Sequence, residues 1–145
     1  MLDQLNKYEE NDHFFFQPTD NLAEVCNAPT DKAGVYVIHE LARGKVRLIY
    51  IGMSGQKNKD GSIKIRKAGY GGMKDRIVNG HQFGKILRKK SWPIQMLKED
   101  IEALDVYWYV TFSEEHHDFP RDVERELLEL HMDIYGQLPK WNKEV

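Results

Sequence analysis

The spacing of hydrophobic and polar positions changes character several times along the chain. Residues 33–41 (AGVYVIHEL) and 46–54 (VRLIYIGMS) are dense in β-branched and aromatic side chains, and Ala42, Arg43, Gly44 and Lys45 join them. Two such runs around a short glycine-containing turn predict a β-hairpin. Asp105 to Phe112 (DVYWYVTF) is the clearest single strand. Between them, Gly72 to Asn79 predicts a short helix with Met73 and Ile77 on its inner face and Gly80 at its end. Residues 82–104 are expected to be helical in part, because Ile94, Leu97, Ile101 and Leu104 recur at helical spacing and Pro93 can start a turn. A last helix is predicted from Pro120 to Tyr135, closed by Gly136 and followed by the tail QLPKWNKEV.

The segment 53–72 is rich in glycine and lysine and keeps no period, so it is expected to be a long, mobile, basic loop. The first 32 residues, with the cluster Phe14, Phe15 and Phe16, predict a short helix or strand plus a turn-rich connector. They are assigned as an N-terminal extension to a domain spanning 33–145. The element order suggests an α/β fold, one small sheet flanked by helices.

A chain of 145 residues with 41% hydrophobic content can bury a core of single-domain size. One cysteine excludes a disulfide framework and a cysteine-based zinc site, and points to a reducing compartment. Cys26 has no histidine placed to activate it and is expected to be a buried thiol. No apolar run approaches the roughly 18 residues of a membrane helix, and the start carries acids where a secretory signal would carry bases. The expectation is a cytoplasmic protein without a membrane partner.

Charge changes the picture more. The formal net charge is −2, which by itself argues against a nucleic-acid partner. Residues 55–90, however, hold eleven bases against Asp60 and Asp75, a local balance of +9, while 1–33 and 98–134 come to −5 and −9. The chain has a basic middle between acidic ends.

Two residues break the apolar pattern of the last helix. On a helical wheel Val123, Leu127, Leu128, Leu130, Ile134 and Tyr135 form the apolar arc, with Arg125, Glu126, Glu129 and Asp133 opposite. Glu124 falls between Leu127 and Leu128, and His131 lies along the same line. A carboxylate facing a core is costly unless it is paired or binds a metal. His131 reads as a satisfied core histidine. His116 and His117, beside Glu114, Glu115 and Asp118, read as a solvated turn, and Gly69, Gly71 and Gly72 lack the lysine and hydroxyl residue of a phosphate-binding P-loop.

Gly34, Val35 and Tyr36, then Tyr50, Ile51 and Gly52, resemble the two signature tripeptides of the GIY-YIG nucleases. They stand on consecutive strands of the expected hairpin. Arg76 on the next helix, Glu124 on a late helix and Asn142 in the tail complete an ordered series spanning about residues 33–145. The resemblance implies a small α/β domain built on a mainly antiparallel three-stranded sheet, hydrolysing a DNA phosphodiester with one divalent cation, Mg2+ or Mn2+. It implies Glu124 as metal ligand, Arg76 on the scissile phosphate, and Tyr36 and Tyr50 beside the attacking water. His81 would be the auxiliary group and Asn142 the polar residue closing the site. Of the tyrosines, Tyr50 is taken as the base and Tyr36 as an orienter.

The chain departs from the family pattern in three places. His81 follows Arg76 by five residues instead of four, the interval from Gly52 to Arg76 is long, and so is that from Glu124 to Asn142, which leaves Glu129 as the alternative ligand. The inserted loop supplies Lys64, Arg66, Lys67 and Tyr70, and Lys74, Arg88, Lys89 and Lys90 add to it, as candidate contacts to a nucleic-acid backbone. Restriction, repair or mobile-element roles fit such an enzyme, with a homodimer open. The alternative is a nucleic-acid-binding module with weak or lost catalysis.

Overall fold

Among residues 1–143, which the computed structural model describes, a 3-10 helix (Asp3–Lys7) precedes six strands and four α-helices. These are β1 (Asn11–Phe16), α1 (Leu22–Val25), β2 (Ala33–Ala42), β3 (Lys45–Ser54), β4 (Gln56–Lys57), β5 (Ile63–Lys64), α2 (Gly72–Asn79), α3 (Arg88–Lys98), β6 (Ala103–Phe112) and α4 (Pro120–Tyr135). The hairpin, the strand before α4, α2 and α4 all form where the hydrophobic spacing puts them.

The main sheet has four strands in the order β1-β6-β2-β3, all antiparallel, and not the three expected. The extra strand comes from residues assigned to the extension. Phe14 and Phe16 are buried while Phe15 is half exposed, the alternation of a strand with one face on a core. β1 pairs with β6 from Asn11↔Tyr109 to Phe16↔Leu104, so the boundary at residue 32 falls within one continuous sheet.

Both faces of the sheet are covered. On one face Phe14, Phe16, Tyr36, Ile38, Leu104 and Val106 pack with Met73 and Ile77 of α2 and Trp92 and Met96 of α3. On the other, Val35, Val37 and Ile51 pack with Val123, Leu127 and Leu128 of α4 and with Leu5 and Tyr8. A register shift between Ile38 and His39, opposite Ile49, marks a β-bulge. It turns Leu48 to the α4 face, whereas strict alternation would have kept it beside Tyr50.

α3 differs most from its expected form. It is shorter, and Leu104 belongs to β6 instead. Its buried face is Arg88, Ser91, Trp92 and Met96, leaving Ile94 and Leu97 exposed. One indole and one methionine at i, i+4 outweigh two aliphatic residues in choosing the inner face. In α4 the buried stripe is Val123, Leu127, Leu128 and His131, and the last turn leaves Ile134 and Tyr135 exposed.

The basic segment takes a defined path. β4 and β5 form a small hairpin closed at Asn58–Ser62 by the Asn58 N–H donating to the Ser62 carbonyl and by Asn58 Nδ2 donating to Ser62 Oγ. Farther on, buried Asp75 accepts from the Tyr70 N–H (3.0 Å), from Asn79 Nδ2 (2.8 Å) and from Arg66 Nε. Burial pushes the Asp75 carboxyl up, but these donors and the Arg66 charge outweigh it and hold it below the usual carboxylate range. A depressed carboxylate stabilises the fold above its unfolded pKa and loses that contribution as pH falls through its folded value. Asp75→Asn is therefore expected to make residues 56–71 susceptible to protease at pH 7, and the native protein to loosen there only as pH falls below the ordinary carboxylate range. Limited proteolysis across a pH series checks both.

Candidate functional site

Antiparallel register brings the two tyrosines together. Tyr36 faces Gly52 and Ile38 faces Tyr50 across β2 and β3, so Tyr36 and Tyr50 are diagonal neighbours on one face, with ring centroids 6.1 Å apart. Gly52 has no side chain because the Tyr36 ring occupies that space: a Cβ there would lie 2.5 Å from Cζ and 2.6 Å from the hydroxyl oxygen. Gly52→Ala is expected to cost about 1–3 kcal/mol by displacing the ring, read as a lower melting temperature.

The Tyr36 side chain is not at the water-filled surface the sequence suggests. It is wholly buried, and its hydroxyl accepts from Arg88 Nη1 at 2.6 Å. Arg88, expected on the surface as a nucleic-acid contact, is likewise buried at 1% exposure. Its Nη2 donates to the Tyr50 hydroxyl (3.2 Å), its Nε to Gln82 Oε1 (3.1 Å) and its Nη1 also to the Arg76 carbonyl (2.9 Å). The guanidinium sits 5.3, 5.5 and 5.8 Å from the ring centroids of Tyr36, Tyr50 and Trp92. Gly80, just after α2, is required by this packing, since a Cβ would fall 2.9 Å from Arg88 Nη1 and 2.3 Å from the Arg76 carbonyl oxygen. The resulting break places His81 in an exposed bridge with Leu87, off the helix that carries Arg76.

Tyr50 opens onto a cleft of about 470 Å3 beside the edge strand β3. His81, Gln82, Phe83, Gly84, Glu124, Leu128, Trp141, Asn142 and Lys143 complete its lining. Four of the six expected site residues, Tyr50, His81, Glu124 and Asn142, therefore share one cavity. Glu124, from the second turn of α4, is half-buried and has no hydrogen bond or salt bridge among the described residues. Burial pushes its carboxyl up to about 7, and the nearby Arg76 charge pulls against that. Glu129 is exposed and lines none of this cleft. Asn142 is held by its own bonds: Nδ2 donates to the Ile51 carbonyl (2.9 Å) and Oδ1 accepts from the Ile51 N–H (3.0 Å). With Trp141 N–H on the Ile49 carbonyl, it clamps the tail to the free edge of β3, so its amide shapes the cleft instead of reaching into it.

Tyr50 does not have the acidity of a base. Burial raises its pKa to about 12, and Tyr36 and Glu124 push in the same direction, while Arg88 and Arg76 only partly oppose them. A phenol at that value keeps its proton at neutral pH.

Arg76 lines a second hollow of about 370 Å3, together with Gln56, Lys64, Arg66 and Lys67, while its charge acts on both Tyr50 and Glu124. Lys64, Lys67, Lys89 and Lys90 are exposed, as is Tyr70, whose ring carries Lys74 Nζ at 5.4 Å. Arg66 is tied to Asp75.

Elsewhere, His131 is buried with Nδ1 on the Gln137 carbonyl at 2.6 Å, and Cys26 is a buried thiol raised to about 11 by burial. Glu9, from the start of the chain, joins Glu115 and His116 of the turn read as solvated, with ligand atoms within 4.8 Å of one another. No helix among the described residues is long and apolar enough to cross a membrane. No family model matches this chain, and no curated protein or solved structure matches it either.

Proposed function

We propose that this chain is a divalent-metal-dependent endonuclease of the GIY-YIG type, hydrolysing phosphodiester bonds in DNA. The observation that carries the reading is the meeting of Tyr50, His81, Glu124 and Asn142 in one open cleft, with Arg76 linking it to a basic hollow. A phosphodiester is anionic and gains charge on its oxygens during attack, so its site needs cations and fixed donors.

Glu124 suits a divalent cation. It is a half-buried carboxylate with no partner among the described residues, and a hard oxygen of this kind fits Mg2+ or Mn2+, which keep several waters and take one or two carboxylates. When bound, such an ion supplies Lewis-acid polarisation and makes water a better nucleophile. Arg76 contributes a planar fork that can hold two phosphate oxygens at once. Tyr50, protonated at neutral pH, orients water or phosphate by hydrogen bonding. His81 brings the cleft's one imidazole among the described residues, a ring nitrogen that can hold the attacking water. Lys64 and Lys67 then hold the backbone of a duplex whose scissile bond lies over the cleft.

Incubation of supercoiled plasmid with Mg2+ or Mn2+ tests this, with EDTA as control. Metal-dependent nicking supports the enzyme, whereas salt-sensitive binding without cutting favours the binding module on the same fold. Lys64→Ala with Lys67→Ala is expected to weaken DNA binding about equally across sequences. It should also flatten the dependence of log K on log salt by about 1–2 units, measured by fluorescence anisotropy.

A further inference from the structure

Arg88 is a wholly buried cation that makes no salt bridge among the described residues. Buried charges are normally paired, since desolvation is costly. Three aromatic faces, a side-chain carbonyl and a backbone carbonyl offset part of that cost. They supply no negative charge.

The direction of its hydrogen bonds limits what its neighbours can do. A guanidinium only donates, so Tyr50 and Gln82 both meet it as acceptors, through the hydroxyl oxygen and Oε1. Gln82 Oε1 also accepts from Trp92 Nε1 at 3.0 Å, which fixes the amide with Nε2 on its other side. That Nε2 is buried with no partner among the described residues. The Tyr50 O–H also finds no acceptor among them. Both residues line the cleft that holds Glu124, and one cation without a counter-charge holds both, although Gln82 Nε2 itself has no surface open to that space.

We infer that Arg88 is a positioning residue that presents the Tyr50 hydroxyl as a donor to an anionic oxygen entering the cleft. The assignment of that anion as a phosphodiester oxygen rests on the nuclease reading; the donor geometry does not. Tyr36, held by Nη1 of the same guanidinium, is the inner anchor that fixes its orientation. The positive charge behind this donor strengthens it toward an anion, as charge-assisted bonds are stronger than neutral ones. Tyr50 therefore acts with its proton on, in agreement with its high pKa.

Inorganic phosphate is the probe, added without metal to protein carrying 13Cζ-tyrosine, with the Tyr50 resonance assigned by its loss in Tyr50→Phe. A saturable shift of Tyr50, larger than that of Tyr36, is expected. Tyr50→Phe should weaken phosphate binding about tenfold with little change in melting temperature, and Arg88→Lys, which keeps the charge but not the fork, should weaken it as much at a lower melting temperature. Where Arg88→Lys does not fold, Arg88→Met, which fills the same space, takes its place, and a folded Arg88 variant that binds phosphate as tightly as the native chain overturns the positioning role. A folded protein in which phosphate leaves Tyr50 unmoved, or in which Tyr50→Phe binds phosphate as tightly as the native chain, overturns the inference. Plasmid nicking is scored separately. Nicking without a phosphate response refutes the Tyr50 donor and leaves the nuclease reading standing, and a Tyr50 response without nicking does the reverse.

Discussion

Glu124→Gln is expected to abolish metal-dependent nicking while making the protein more stable. Both effects follow from one carboxylate. Ionised, it is the only cleft-lining carboxylate among the described residues, and the isosteric amide removes the charge with almost no change in shape. A loss of at least 100-fold in rate is expected, since one well-placed charged or hydrogen-bonding group is worth about 3–4 kcal/mol in a transition state. The stability effect follows from its raised pKa of about 7. A carboxyl whose folded pKa exceeds its unfolded value binds its proton more tightly in the native state. The fold is then most stable below the unfolded pKa, near 4.5, and loses stability as pH rises to about 7. Because the side chain is partly exposed, solvent screening reduces the loss to about 1–2 kcal/mol. In EDTA at pH 8, Glu124→Gln should therefore melt roughly 3–8 °C higher than the native chain, and at pH 4 about equally. Equal melting at both pH values would show that Glu124 is not strained by burial.

Arg88→Ala carries the largest expected loss of stability, about 3–5 kcal/mol, or roughly 10–20 °C in melting temperature. The substitution strands the Tyr36 hydroxyl oxygen without its donor, leaves Gln82 Oε1 with Trp92 Nε1 alone, and opens a cavity between β2, β3 and α3. Removing a desolvated charge offsets part of this, so Arg88→Met, which fills the space, should lose less. Arg88→Met combined with Tyr36→Phe should be less destabilised than the two single changes added together, because the phenylalanine no longer buries an unpartnered oxygen. Thermal melts of the four proteins give the coupling. A near-additive result would mean that the buried hydroxyl and guanidinium do not depend on each other.

The same arginine marks where sequence reasoning stopped. In the run Arg88, Lys89, Lys90 the three bases look alike, and a basic run beside Trp92 reads as a surface patch. The distinguishing signal was present but faint: Arg88, Trp92 and Met96 stand four residues apart, on one helical face. It was obscured by Ile94 and Leu97, which are more hydrophobic in appearance and lie exposed. For Asn142 the residue was legible as belonging near the site, but its pairing with both polar groups of Ile51 was not, because that depends on where the tail crosses β3.

What the sequence determined by itself were features set by local pattern. Alternation defined the hairpin and the DVYWYVTF strand, helical spacing defined α2 and α4, and the off-pattern carboxylate among the apolar residues of α4 identified Glu124. These survive because strand pleat and helix pitch act over a few residues. Tertiary structure decided what depends on contacts between distant segments. It brought residues 11–16 into the sheet against β6, since an edge strand gains its stability only from a partner about 90 residues away. It ordered the basic loop by anchoring it on Asp75, and it drew one base of the three at 88–90 into the core, where two tyrosine hydroxyls 14 residues apart in sequence became its partners. Burial then raised Tyr50 and Glu124 together, because desolvation depends on everything packed around a group and not on its neighbours in the chain.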